Sequence, residues 1–295
     1  MNMREQFIHT TNELINTDEK VSVLLGGISV ASFQENMEKY PNRVFNAGIS
    51  EQGILGAAAG MSIAGMIPIV HTIAPFLVER AYEQLKLDFG YQRQRGNFVT
   101  TGASLDYSSF GATHQCPADI GILSYIPYMQ IIVPGTALEF DYLFRHCYDN
   151  EFPTYYRLSR DANSFTNNVE FGKGNLIKKG SKATVLAVGP ILDMVVNACD
   201  NLDVTILYYT TVSPFDLELL RNNICNRKLL ICTPFYKGSL DYYIHEAMQG
   251  EPIKLHEISL PRIFAPHYGY TREYYNEIGL SEKNINAKAR KMIGE

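Results

Sequence analysis

Short apolar runs alternate with longer amphipathic ones along this chain, and that rhythm restricts the fold more than any single motif does. Strands are predicted at residues 21–27 (VSVLLGG), 43–48, 66–72 (MIPIVHT), 97–103, 129–135 (MQIIVPG) and 153–159. Helices are expected between them, near 29–39, 51–64, 76–90, 118–125 and 137–149. Strands buried on both faces read as continuous apolar runs, and alternation with helices implies parallel strands joined by right-handed crossovers. The first 160 or so residues therefore read as a doubly wound α/β unit. The polar stretch DANSFTNNVEFGKGN, residues 161–175, breaks the rhythm and reads as a linker or surface loop. Alternation then resumes, with strands at 183–189, 204–212, 228–235 and 253–260 and helices at 191–200 and after Pro214. A second, smaller α/β unit is expected over about 175–295, each unit with a core of its own.

Composition narrows the function classes. The 295 residues, 46% hydrophobic and 19% charged, suit about two globular domains. A formal net charge of −5, with no run of basic residues, leaves no footprint for nucleic acid. The polar N-terminus MNMREQFIHTTNEL lacks the apolar core of a signal peptide, and no uninterrupted apolar stretch is long enough to span a bilayer. The five cysteines are odd in number and irregularly spaced, without CxxC pairs, which suits reduced, mostly buried thiols in a cytoplasmic protein. No repeat or low-complexity segment occurs, and GGIS at 26–29 is too short to be a dinucleotide fingerprint.

Four segments carry candidate chemistry. In VFNAGISEQGILGAAAG, residues 44–60, Glu51 is the only charge and follows a strand-to-helix turn, with Ser50 as N-cap. An acid there could simply complement the helix dipole. The Gly/Ala-rich helix behind it, however, suits close backbone packing across an interface. That would bury the carboxylate at the strand C-termini, where open α/β sheets bind ligands. In HTIAPFLVERAYEQLKLD, residues 71–88, Phe76 opens a helix and by itself reads as core. His114 lies in the Gly/Thr-rich loop FGATHQ, where a lone histidine is commonly structural. Arg157 and Arg160 in PTYYRLSR sit at a strand end, where two guanidinium groups could grip a phosphate or simply be solvated.

Together and in this order, NAGISEQ, the Phe-led helix, GATHQ, IPYMQIIVP and YYRLSR resemble the pyrimidine-binding domain of transketolases and deoxyxylulose-phosphate synthases, with the β subunits of 2-oxoacid dehydrogenases as more distant relatives. TTVSPFD and TPFYKGSL resemble segments of the family's C-terminal domain. The resemblance covers roughly residues 15–290. It implies two doubly wound domains, a pyrimidine-binding one over 1–165 and a transketolase C-terminal-type one over 175–295.

The resemblance also implies roles. Glu51 would hydrogen-bond the aminopyrimidine of thiamine diphosphate and tune the cofactor's own base, so that a ylide nucleophile forms. Phe76 would stack on that ring. Glu79 stands where relatives carry a polar or aromatic residue. His114 would face the reacting carbonyl, and Arg160 would bind the far phosphate of a sugar phosphate. The GDG and Asn pair that hold pyrophosphate and Mg²⁺ in this family do not occur here. The expectation is a split enzyme: a separate N-terminal subunit supplies those groups, and the two associate as an α₂β₂ heterotetramer in the cytoplasm, with no membrane or nucleic-acid partner.

Two departures bear on the substrate. Phe110 replaces the Asp that reads a sugar hydroxyl in transketolases, and Gly102 replaces a histidine twelve residues before the THQ histidine. A ketol transferase for a modified or deoxygenated sugar phosphate is expected, with a pyruvate-type decarboxylating enzyme as the alternative. A non-catalytic paralogue would be expected to have lost Glu51 or the THQ loop, and this chain keeps both.

Overall fold

The computed structural model describes residues 1–295 and contains two sheets. The first is built from β1 (Val21–Leu25), β2 (Val44–Asn46), β3 (Ile67–Ile73), β4 (Gly96–Thr101), β5 (Gln130–Ile132) and β6 (Pro153–Arg157). These run parallel in the order β5-β6-β4-β3-β1-β2. The second holds β7 (Gly174–Lys178), β8 (Ala183–Val188), β9 (Val204–Tyr209), β11 (Lys228–Tyr236) and β12 (Lys254–Leu260). It is parallel except for the edge strand β7, in the order β12-β11-β8-β9-β7. Both sheets are doubly wound. In the first, the chain steps from β1 to β2 on one side and then to β3 on the other, so the switch point lies between β1 and β3.

The helices that matter for the site belong to the first unit. They are α1 (Met3–Thr17), α2 (Gln34–Lys39), α3 (Glu51–Ile63), α4 (Ala74–Val78), α5 (Tyr82–Gln84), α6 (Asp119–Leu123) and α7 (Ala137–Cys147). The N-terminal helix α1 starts in a reciprocal capping box, Asn2 with Glu5, and buries Phe7 against His71, Phe140 and Phe144. The expected single helix over 76–90 is instead broken. It runs as α4, then α5, then a π-type turn at Leu85–Tyr91. The Pro75 carbonyl accepts from both Glu79 and Arg80 backbone N–H groups at this break. Ser50 caps α3 by position only, because its side chain makes no capping hydrogen bond.

The expectation of one core per unit is corrected by the structure. The two large apolar clusters each draw on both sheets. One joins Phe7, Val23, Phe140 and Tyr156 to Val185, Tyr208 and Leu230; the other joins Leu55, Phe98 and Tyr155 to Leu186, Tyr209 and Phe235. The reason is a strand that changes sheets. After Tyr209 the chain leaves the second sheet, and β10 (Thr211–Ser213) pairs antiparallel with β5 of the first. Polar bonds reinforce the seam. Tyr208 Oη donates to Glu139 (2.7 Å), Tyr236 N to Pro117 O (2.8 Å) and Thr271 Oγ1 to Leu105 O (2.8 Å). All five cysteines are free thiols, and no helix is long and apolar enough to cross a membrane.

Candidate active site

The site begins where β2 ends. The Asn46 side-chain oxygen accepts from the backbone N–H groups of Gly27 (3.2 Å) and Gly48 (3.1 Å), tying the β1 and β2 exits together. That turn delivers Glu51 as the first residue of α3, at the switch point of the sheet. Glu51 is 2% exposed. Its carboxylate accepts from Arg80 Nη1 (2.9 Å) and, more weakly, from Thr72 Oγ1 at the end of β3 (3.5 Å). The unpaired N–H groups of the first helical turn add a favourable field.

A row of rings leads away from this carboxylate. The Arg80 guanidinium lies 4.4 Å from the centroid of the Phe76 ring while it donates to Glu51. Phe76 meets the His114 ring edge-on at 5.2 Å, and His114 packs against Phe110 at 5.1 Å. Phe110 meets Tyr107 at 6.0 Å, and the Arg160 guanidinium covers the other end of the row, 4.6 Å from the Tyr107 centroid. Glu51, Phe76, His114, Phe110 and Arg160 thus lie along one continuous strip, although the sequence spreads them over more than 100 residues. Phe110 is 58% exposed, so the strip is open to solvent on the side where it flanks His114.

Local backbone shapes this strip. Gly102 follows β4 with φ +82°, and the Tyr107 ring crowds the place where a Cβ would stand, so Tyr107 fills the space that a side chain at 102 would need. Gly111 has φ +76°, and the ring of Tyr268, from the second unit, lies 2.6 Å from its virtual Cβ. The FGATHQ loop is therefore held from above by the loop that carries Tyr268. Asp106 anchors the far end. It accepts from Arg160 N (2.9 Å) and Ser159 Oγ (3.2 Å), and burial pushes its carboxyl up to about 7.

Two candidates sit apart from the strip. Arg157 is 1% exposed and pairs with Asp119 (2.6 Å), which also accepts from Tyr155 Oη (2.9 Å). The idea of two arginines gripping a phosphate is corrected accordingly: the last residue of β6 points into the protein, and its charge is neutralised there. Glu79 accepts from Cys116 Sγ at 3.8 Å, and burial, followed by the nearby Asp119 charge, raises its pKa. It makes no hydrogen bond to Glu51, Arg80 or Phe76.

Residues 1–164, more than half of the chain, match the family described as transketolase, pyrimidine binding domain. The chain belongs to the transketolase family. It is 34% identical over 289 residues to an uncharacterized 33.6 kDa protein in the fasciation locus of Rhodococcoides fascians, covering 97% of this chain and 93% of that one. It is 27% identical over 266 residues to one of the subunits of the apulose-4-phosphate transketolase of Actinobacillus succinogenes, covering 86% of this chain and 85% of that one. Among solved structures, a split gene transketolase described as an inactive beta4 tetramer shares the fold with a TM-score of 0.86 at 24% identity, covering 100% of this chain and 98% of that one.

Transketolase-family enzymes depend on thiamine diphosphate, and the residues present fit its flat aminopyrimidine ring. The fit is shown by Arg80. A planar group bearing N–H already lies over Phe76 and donates to Glu51 at once. Phe76 and Glu51 are thus placed so that one flat group bearing nitrogen can contact both. Reading the sequence did not single out Arg80, Thr72 or Tyr107. Arg80 had a legible signal, because its spacing of four from Phe76 is the spacing that brings side chains together on a helix. Thr72 and Tyr107 had none, since their contacts are made by the sheet and by the loop after Gly102.

Proposed function

We propose that this chain is the pyrimidine-binding subunit of a split transketolase-like enzyme that transfers a ketol unit between sugar phosphates. The carrying observation is the bridge Phe76–Arg80–Glu51, a cradle shaped for a planar N–H donor at the head of a strip that ends in Arg160. The likeness in extent to a relative named as a transketolase subunit supports the split arrangement. The pyrophosphate and Mg²⁺ then belong to a separate subunit.

The cofactor, when bound, supplies the nucleophile that accepts and releases the ketol unit. The chain's own residues do the rest. Glu51 would share a proton with the ring nitrogen that faces it, donating as the carboxylic acid or accepting as the carboxylate once that nitrogen is protonated, and, being buried, would act in a low dielectric. Phe76 would cover the ring's face and exclude water from it. His114 is steadied by Thr113 (2.9 Å) and wedged between Phe76 and Phe110, where it can donate to or take a proton from a carbonyl oxygen. Arg160 presents a guanidinium for a phosphate at the far end. Phe110 places an apolar ring beside His114, which favours a donor with fewer hydroxyl groups next to its carbonyl. The same observation supports pyruvate as a second donor class.

The outward face of α3 supports assembly. Gln52, Gly53, Gly56, Ala57, Gly60 and Ile63 are exposed on it or at its edge, so the helix offers a nearly flat apolar surface at the back of Glu51. The proposed state is α₂β₂, with these helices packed against one another.

The test is reconstitution. With a GDG-bearing partner subunit, thiamine diphosphate and Mg²⁺, turnover of xylulose 5-phosphate or a deoxygenated analogue is expected, and none from the chain alone. Glu51→Gln should lower turnover at least about a hundredfold, the scale of losing a catalytic acid–base group. Full activity of the single chain, or near-normal turnover of the variant, would overturn the proposal. Turnover of pyruvate in place of the ketose phosphate would select the second donor class.

A further inference from the structure

The two groups that would hold the aminopyrimidine are already taken by a side chain of the same protein. Arg80 follows α4 at the break in the 74–91 segment, and its backbone carbonyl is tied to α3 by Gln52 Nε2 (3.3 Å). Its guanidinium bridges the Phe76 ring (4.4 Å) and the Glu51 carboxylate (2.9 Å). A ligand that stacks on that ring face and hydrogen-bonds that carboxylate must take Arg80's place. The arrangement is asymmetric in a telling way. Glu51 is 1% exposed in its side chain, whereas Arg80 is 47% exposed, so the carboxylate stays put and the arginine has water to swing into.

We infer that Arg80 is an internal surrogate for the aminopyrimidine. It fills the cradle in the cofactor-free chain and leaves it when the flat ring enters. This rests on the thiamine diphosphate reading of the site and deepens it. A buried carboxylate without a partner is strongly destabilising, and Arg80 supplies that partner before any cofactor arrives. The guanidinium suits the task because it is planar, stacks on aromatic faces and presents N–H groups in its plane, as an aminopyrimidine also does once the ring nitrogen facing Glu51 is protonated. A lysine could neutralise Glu51 but could not cover the ring as a plane. The cost falls on cofactor affinity, because an incoming ring has to break a half-exposed ion pair and a cation–π contact.

The test needs neither partner nor turnover. The probe is 4-amino-2-methylpyrimidine, the ring without thiazolium or pyrophosphate, titrated into the full chain by ligand-observed NMR. Arg80→Met keeps the aliphatic stem and removes the planar cation. It is expected to bind the probe about fivefold or more tightly than the native chain, the scale set by one exposed ion pair and one cation–π contact. Adding Glu51→Gln should abolish that gain. Arg80→Lys, which preserves a charge for Glu51, should also bind more tightly than the native chain, and it carries the test if Arg80→Met fails to fold. Equal or weaker binding by the Arg80 variants, with Glu51→Gln still weakening the probe in every background, would overturn the surrogate and leave the cofactor reading standing. Probe binding that ignores Glu51, or no binding by any variant, would overturn both.

Discussion

Single residues in this protein carry charge in places where burial makes charge expensive. Glu51 is neutralised by Arg80, and Arg157 by Asp119. Asp106 is the exception: the groups facing it are Arg160 N and Ser159 Oγ, with Asp161, Arg157 and Tyr275 nearby, and burial still holds its pKa at about 7 against an ordinary 3.8. The sign follows. Between pH 4 and 7 the folded chain keeps a proton that the unfolded chain has released. The stability Asp106 contributes is complete below the ordinary value and is lost as pH rises toward 7, by an amount on the order of a few kcal/mol. Asp106→Asn keeps an acceptor for Arg160 N and has no proton to lose. Its melting temperature should exceed that of the native chain at pH 8 by roughly 5 °C, and the two should converge near pH 4. Parallel melting curves across that range would show that Asp106 is not titrating. His71, fully buried and lowered to about 3 chiefly by desolvation, works in the opposite direction, adding stability as pH rises through the range below 6.5. The comparison must therefore be made between variants and not on the native curve alone.

At the scale of elements, α3 shows how one helix serves two purposes. Its inner face buries Ile54, Leu55, Ala58 and Ala59, and the middle of its outer face, Gly53, Gly56, Ala57 and Gly60, is made of small exposed residues between Gln52 and Ile63. A Cβ added at Gly56 or Gly60 meets nothing within 4 Å, so the monomer has no steric reason for glycine at either position. Glycine inside a helix costs about 0.5–1 kcal/mol relative to alanine. The proposed packing of α3 against another helix in the assembly would account for that cost. Gly56→Leu should leave the far-ultraviolet circular dichroism intact and the chain at least as stable. It should also weaken self-association about tenfold or more in sedimentation, the scale of a clash worth one or two kcal/mol at an interface. Unchanged association would remove this face from the assembly. The broken 74–91 segment carries Phe76 in α4 and Arg80 just after it, with the guanidinium over the Phe76 ring.

At the scale of the whole molecule, the two sheets are not independent bodies. Strand β5 has β6 on one side and β10, contributed from beyond residue 210, on the other. Both apolar clusters cross the seam, and the buried pair Arg157–Asp119 is closed over by Pro234 and Phe235. Residues 1–165 expressed alone should therefore fail to unfold cooperatively, exposing the edge of β5 and half of each cluster. A single sharp transition for that fragment near the full chain's melting temperature would show that the first unit stands by itself. Thermal unfolding of the full chain should show one transition for the same reason.

Much of this was legible in the residues. Continuous apolar strands alternating with helices specify parallel sheets wherever they occur, because such strands need cover on both faces. The matching strand positions follow from that local rule. Glu51 and its Gly/Ala helix stood out because a lone charge in a small-residue run is a local signal, as were the GATHQ and LSR segments. What the tertiary structure alone decided is which groups meet. Arg157 and Arg160 look equivalent in YYRLSR, yet Arg157 ends a strand buried along its whole length and pairs with Asp119, while the loop after it leaves Arg160 over Tyr107. The edge strand β7, hidden in a polar stretch, and the sheet change of β10 depend on partners distant in sequence. The bridge from Phe76 through Arg80 to Glu51 belongs to the same class: its residues are individually readable, but their distances are set by how a helix, a broken helix and a strand end converge at the switch point of the sheet.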